Sequence, residues 1–169
     1  MKVEVKRSKR RKRTISARLD GDIMYVYAPI DTPEKELHKI IENFKKRFTR
    51  RNLKRELNKE HNLREVFNKL NKKYFDGKIK IKSIEYVTVQ QSKYGCCNYK
   101  KKTIRLSHYI AQMPDWVRDY VIIHEMAHIL EPNHSKSFWD IVYRYKLAER
   151  ARGFLIAKKM EDNQELDIE

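Results

Sequence analysis

The segment Asp115–Leu130 is the most apolar stretch of helical periodicity in the chain, and its second half reads Val121-Ile122-Ile123-His124-Glu125-Met126-Ala127-His128-Ile129-Leu130. A helix this apolar belongs in the interior, and Pro132 stops it. The rest of the chain must therefore supply layers that cover it. Yet three ionisable groups sit on the same helix, and they are costly to desolvate unless a partner compensates them. Residues four apart lie one above the other on a helix face, so the H-E-x-x-H spacing lets the imidazoles of His124 and His128 point at a single zinc ion.

Glu125 precedes His128 by three residues, which projects its carboxylate beside such an ion and within reach of a water on it. A third ligand has to come from beyond the helix, and the break at Pro132 suits His134. Three protein ligands leave the fourth tetrahedral position open, the catalytic pattern, whereas a structural zinc site is closed by four. The bland alternative is a helix with two buried, hydrogen-bonded histidines. His134 also stands where the H-E-x-x-H-x-x-G-x-x-H pattern of metzincins places its last histidine. The glycine position holds Glu131, however, and no Met-turn follows, so zincins outside that clan are favoured.

Around this helix the pattern predicts an α+β domain. Val3 and Val5, then Ile15, Ala17 and Leu19, alternate with polar residues, and a hairpin turns at Asp20-Gly21-Asp22 into Ile23–Ala28. Asp31-Thr32-Pro33-Glu34 opens a helix continued by Leu37, Ile40, Ile41, Phe44 and Phe48. A second amphipathic helix is expected from about Leu63 to Tyr74, ended by Asp76-Gly77. Ile79, Ile81, Ile84, Tyr86 and Val89 mark one or two strands, and Lys93–Tyr99 with Thr103–Leu106 predicts a hairpin around Lys100-Lys101-Lys102. A last helix is expected to start at the N-cap Ser135 and run through Tyr145. At 169 residues the chain is about one domain long. The expectation is a single domain over 1–160, with a β segment at 1–30, a basic helical segment at 31–76, a catalytic core at 77–150 and an acidic tail at 161–169, frayed or folded back on basic surface.

Charge narrows the partners. Thirty-nine Lys and Arg against 23 Asp and Glu give a formal net charge of +16, enough to attract polyanions. Eight basic residues fall between Lys2 and Arg13 and ten between Lys35 and Lys59, so the basic surface is a candidate for nucleic acid, against the alternative of a merely solvated exterior. The apolar runs are far short of the roughly 20 residues that span a bilayer, and no secretory segment follows the basic start. A cytoplasmic location without membrane contact is therefore expected, with the oligomeric state open. The two cysteines, Cys96 and Cys97, are adjacent, which excludes a disulfide framework and a Cys-based zinc finger. Extended, they point to opposite faces, so at most one is expected to face a cleft, with buried inert thiols as the default.

Tyr120–His128, continued by Asn133-His134-Ser135-Lys136-Ser137-Phe138-Trp139, resembles the signature of the YgjP-like metallopeptidases, relatives of the SprT-like proteins. Arg10-Arg11-Lys12-Arg13-Thr14-Ile15-Ser16 is similar to that family's opening strand. Tyr94-Gly95-Cys96-Cys97 with Ile104-Arg105-Leu106 is similar to its Trp-Gly-Ser-Cys strand and the hairpin after it. Tyr94 replaces the Trp and Cys96 the Ser, and Leu63–Gly77 reads more like the helix that opens SprT-like domains. The resemblance implies a compact zincin-type domain with a small mixed or antiparallel sheet, Zn2+ held by His124, His128 and His134, and Glu125 as general base. The activity so implied is peptide hydrolysis by Glu-assisted attack of a zinc-bound water on a peptide or protein substrate. Tyr143, Arg144 and Tyr120 are candidates for stabilising the oxyanion, and the strand at Lys93–Tyr99 could pair with an extended peptide. Two other classes compete: a metal-dependent nucleoside triphosphate pyrophosphatase, because hydroxide on zinc also attacks phosphorus, and a nucleic-acid-binding protein whose zinc is structural.

Overall fold

The computed structural model describes residues 1–90 and 93–164. Its contacts form two compact units, Met1–Leu53 and Lys54–Glu169, each with an apolar core of its own. In the first unit, β1 (Lys2–Ser8), β2 (Ser16–Asp20) and β3 (Ile23–Pro29) form a sheet in the order β1-β3-β2. The β2–β3 hairpin is antiparallel and turns at Gly21, whose φ of +54° is the left-handed conformation that glycine adopts without cost. β1 pairs with β3 in parallel. Alternation places Met24, Val26 and Ala28 on one face, fully buried. Leu37, Ile41, Phe44 and Phe48 of α1 (Glu34–Glu60) pack on them. The guanidinium of Arg7 donates to the carbonyls of Ile30 and Thr32 and pairs with Glu34, tying the end of β1 to the start of α1.

The boundary between the units falls inside α1. Beyond it, α2 (Leu63–Phe75) begins at Asn62, whose side chain accepts from the Glu65 N–H, and ends where Asp76 turns left-handed at φ 53°. A second sheet follows in the order β4-β6-β5, made of β4 (Ser83–Val87), β5 (Gly95–Asn98) and β6 (Thr103–Ser107). β4 runs parallel to β6, and β5 closes an antiparallel hairpin on it. Of the stretch Ile79–Val89 only Ser83–Val87 is strand. Ile79 is buried, but its backbone is satisfied by a side chain, because the Asn71 amide both donates to the Ile79 carbonyl and accepts from its N–H at 2.8 and 3.1 Å.

A 3-10 turn over His108–Gln112 leads into α3 (Asp115–Leu130), whose Val117, Ile122, Ile123, Met126 and Ala127 are fully buried. α3 lies against β5, β6 and α2, and also against α4 (Lys136–Val142) and α5 (Ala148–Gln164). Ser135 caps α4 as expected, its hydroxyl accepting from the Phe138 N–H. The helix stops at Val142, short of Tyr145, whose buried ring instead donates its hydroxyl to the Trp116 carbonyl at 3.0 Å. α5 has no counterpart in the sequence reading. Among its described side chains it buries Ala148, Ala151 and Leu155, a face too narrow and too small-sided to stand out among its charges. Residues 161–164 of the acidic tail continue α5, and 165–169 lie outside the described residues. The architecture is α+β, with two small mixed sheets in place of one. No helix among the described residues is long and apolar enough to cross a membrane.

Candidate metal centre

Burial of α3 fixes the direction of its ring-bearing face. His124 and His128 leave the helix one turn apart with ring centroids 5.0 Å from each other. After Pro132 the chain doubles back, and His134 comes within 5.1 and 4.7 Å of those rings. One nitrogen from each of the three residues lies within 4.8 Å of the others. The Nε2 atoms of His134 and His124 are 3.2 Å apart. Two donors on a tetrahedral zinc at roughly 2.0–2.1 Å stand about 3.3 Å from each other, so this pair is already at ligand spacing.

The protonation states also fit a cation. Burial, reinforced by the neighbouring His128 and His134, pushes the His124 imidazole down to about 3, which keeps its lone pair free at neutral pH. Burial and His134 lower His128 as well. Its Nδ1 sits 3.3 Å from the Glu131 carbonyl, a contact that holds the ring and turns Nε2 toward the other two histidines. Phe138, fully buried on α4, stands behind the cluster with its ring centroid 4.6–4.9 Å from all three imidazoles. Trp139 stacks on His134 at 5.7 Å. Three imidazoles converging on one point, two of them held neutral by burial, are the donor set a divalent metal takes.

Glu125 sits next to this cluster and is only 6 % exposed. Burial pushes its carboxyl up to about 8, opposed by the charge of Lys93 and by a hydrogen bond from the backbone of Cys97. Gly95 lies against it. A Cβ there would meet the Glu125 side chain at 2.5–2.9 Å, well inside contact distance. The triad and Glu125 face a cavity of about 530 Å³, walled by residues 93–97 along β5, by Tyr120 and Val121 of α3, and by Leu155 and Lys159 of α5. In the β4-β6-β5 sheet, β5 is the edge strand on the cavity side.

The structure thus brings His124, His128, His134 and Glu125 together. Of the three oxyanion candidates, only Tyr120 borders the cavity. Tyr143 is 44 % exposed and stacked on Trp139, and Arg144 donates to the Tyr74 carbonyl. The cysteines depart from expectation, because β5 runs along the cavity rim and both residues border it. Cys96 is exposed rather than buried, and Cys97 is half-buried with its thiol pushed up to about 12 by burial and by Glu125. Sequence reasoning missed the cavity wall from α5 and the contact of Gly95 with Glu125. A glycine inside a strand was the available signal for the second.

A model of the YgjP-like metallopeptidase domain matches residues 47–148. Among solved structures, the chain is similar to the metallopeptidase zymogen abylysin of Pyrococcus abyssi, at 22% identity over 62% of this chain and 93% of that chain, with a TM-score of 0.45. It is also similar to the metallopeptidase zymogen jannalysin of Methanocaldococcus jannaschii, at 22% identity over 58% of this chain and 97% of that chain, with a TM-score of 0.49. Comparison with curated proteins gives no match.

Proposed function

Because this chain belongs to the YgjP-like metallopeptidase family, we propose that it hydrolyses peptide bonds of a peptide or protein substrate with zinc held by His124, His128 and His134 and with Glu125 as general base. The observation that carries this reading is the convergence of three imidazoles beside a buried carboxylate on the wall of one cavity. Zinc bound there supplies the charge that polarises the scissile carbonyl and acidifies the attacking water. Glu125 takes a proton from that water and returns it to the leaving amine, so the amide is cleaved with no covalent intermediate. Gly95 and the Cys97 backbone hold the carboxylate in place for both transfers. Tyr120, the one oxyanion candidate on the cavity wall, donates to the developing charge. An extended substrate lies along the β5 edge by strand addition.

One observation favours a second reading. Lys93 and Lys159 on the cavity wall would also suit a phosphoanhydride substrate. Zinc-loaded protein assayed in parallel on a peptide library and on nucleoside triphosphates separates the two. Peptide products that disappear in Glu125→Gln, with zinc retained, support the peptidase. Release of pyrophosphate with intact peptides overturns it.

A further inference from the structure

The outward face of the β1-β3-β2 sheet is built unlike its buried face. Register places Tyr25 and Tyr27 side by side on the central strand, facing away from Met24, Val26 and Ala28. On β1, Glu4 stands opposite Tyr25 and Lys6 opposite Tyr27, and on β2 the corresponding residues are Arg18 and Ser16. The ammonium of Lys6 lies 4.6 Å from the Tyr25 ring centroid, and the guanidinium of Arg11 lies 5.4 Å from that of Tyr27. One face of each ring thus carries a cation, and both rings remain partly exposed. Lys9, Arg10, Arg11, Lys12 and Arg13 follow one another in the β1–β2 connection, at the Tyr27 end of the face. Glu4 and Asp20 are the acids on these outward positions, and neither forms an ion pair with Lys6, Arg11 or Arg18.

Two half-buried aromatic rings two residues apart on a central strand, flanked by unneutralised cations, match what a single-stranded nucleic acid needs: a π-face for each of two splayed bases and positive charge for the phosphates beside them. We propose that this sheet face binds single-stranded nucleic acid, with bases stacked on Tyr25 and Tyr27 and phosphates held by Lys6, Arg11, Arg18 and the basic connection. Charge complementarity selects this occupant. An apolar partner finds one aliphatic side chain on these outward positions, Ile23 at the start of β3. Duplex nucleic acid keeps its bases stacked inside and has nothing to offer the rings. The surface differs from the basic helix that the charge count points to, since along α1 the aromatics Phe44 and Phe48 are spent on the core. The proposal is independent of the peptidase reading, because no residue of the triad takes part.

The test is fluorescence anisotropy of the full chain with a labelled oligo-dT 12-mer, with and without chelator, across a salt series. Tyr25→Ala and Tyr27→Ala are each expected to weaken binding about 5- to 150-fold, the range for loss of one stacked base. Tyr25→Phe and Tyr27→Phe are expected to retain it, which separates stacking from loss of fold. The triple variant Lys6→Gln, Arg11→Gln, Arg18→Gln is expected to reduce the slope of log K against log salt by about 2. Alanine variants that bind as wild type overturn the proposal. So does a loss seen only on replacing Lys45, Lys46, Arg47, Arg50 and Arg51 of α1. Equal affinity for a duplex, for poly-glutamate or for anionic vesicles also overturns it, by assigning the face to plain charge.

Discussion

Gly95 lies so close to Glu125 that a methyl group on its Cα would stand 2.5 Å from the Oε1 atom. The neighbour cannot yield easily, since Glu125 is buried and leaves α3 between fully packed turns. Gly95→Ala is therefore expected to displace the carboxylate while leaving the three histidines untouched. Zinc content should match wild type, and kcat/KM on a cleaved peptide should fall on the order of 10²-fold or more, as for loss of a general base. The double variant with Glu125→Gln should lose little beyond either single one, because both remove the same function. A fully active Gly95→Ala enzyme would show that the close approach has no catalytic consequence.

Metal content tests the triad directly. The purified protein should carry about one zinc per chain, and His124→Ala, His128→Ala and His134→Ala should each lose most of it. A ligand that binds only the folded chain stabilises it by about 2.7 kcal/mol at a hundredfold excess over Kd, so chelation should lower the Tm of wild type. The exposed His134 makes the cleanest case. His134→Ala should melt with or without chelator where chelated wild type does. Undiminished zinc in that variant would move the third ligand elsewhere.

The alkaline limb of stability has identifiable sources. Burial pushes Tyr86, Tyr145 and the Cys97 thiol each up to about 12, above ordinary values of 10.0 for the phenols and 9.0 for the thiol. The folded chain therefore holds protons that the unfolded chain releases between pH 9 and 12, and stability must fall as pH rises through that window. Urea melts at pH 8, 9.5 and 11 should show the decline, and Tyr86→Phe should flatten it. An ultraviolet titration in which all ten tyrosines ionise together near 10 would contradict the burial argument.

Asn71 substitutes for a strand partner. Its amide satisfies both backbone groups of Ile79 in a buried setting, so Asn71→Ala strands a donor and an acceptor at once. A loss of about 2–6 kcal/mol is expected in denaturant unfolding, from roughly 1–3 kcal/mol for each of the two orphaned groups. Asn71→Asp should lose less, because one of the two bonds survives. Equal stability of Asn71→Ala and wild type would mean that water replaces the amide.

The clustering of the candidate site's residues is the part of this molecule most legible in sequence, and the reason is local. His124, Glu125 and His128 share a helix whose periodicity is unmistakable, and Pro132 and Ser135 mark where the chain turns to present His134. What stayed hidden depends on distance. The parallel pairings of β1 with β3 and of β4 with β6 join segments separated by other elements, and no periodicity records them. α5 buries alanines, which leave little trace in an amphipathic pattern. Tyr143 and Arg144 have the right chemistry for an oxyanion, but α4 ends just before them and neither lines the cavity. The division into two units is invisible because a continuous helix crosses it.

Phe138 bears on which ions the proposed triad would accept. Its benzyl ring faces all three imidazoles from behind at nearly equal distance, and a hydrocarbon has no lone pair to offer. An ion that insists on six oxygens, as magnesium does, would have to gather every missing donor from the cavity side alone. An ion content with four mixed partners loses nothing by the apolar backing. On the proposed metal reading, the phenylalanine would act as a sieve on coordination number without itself being a ligand.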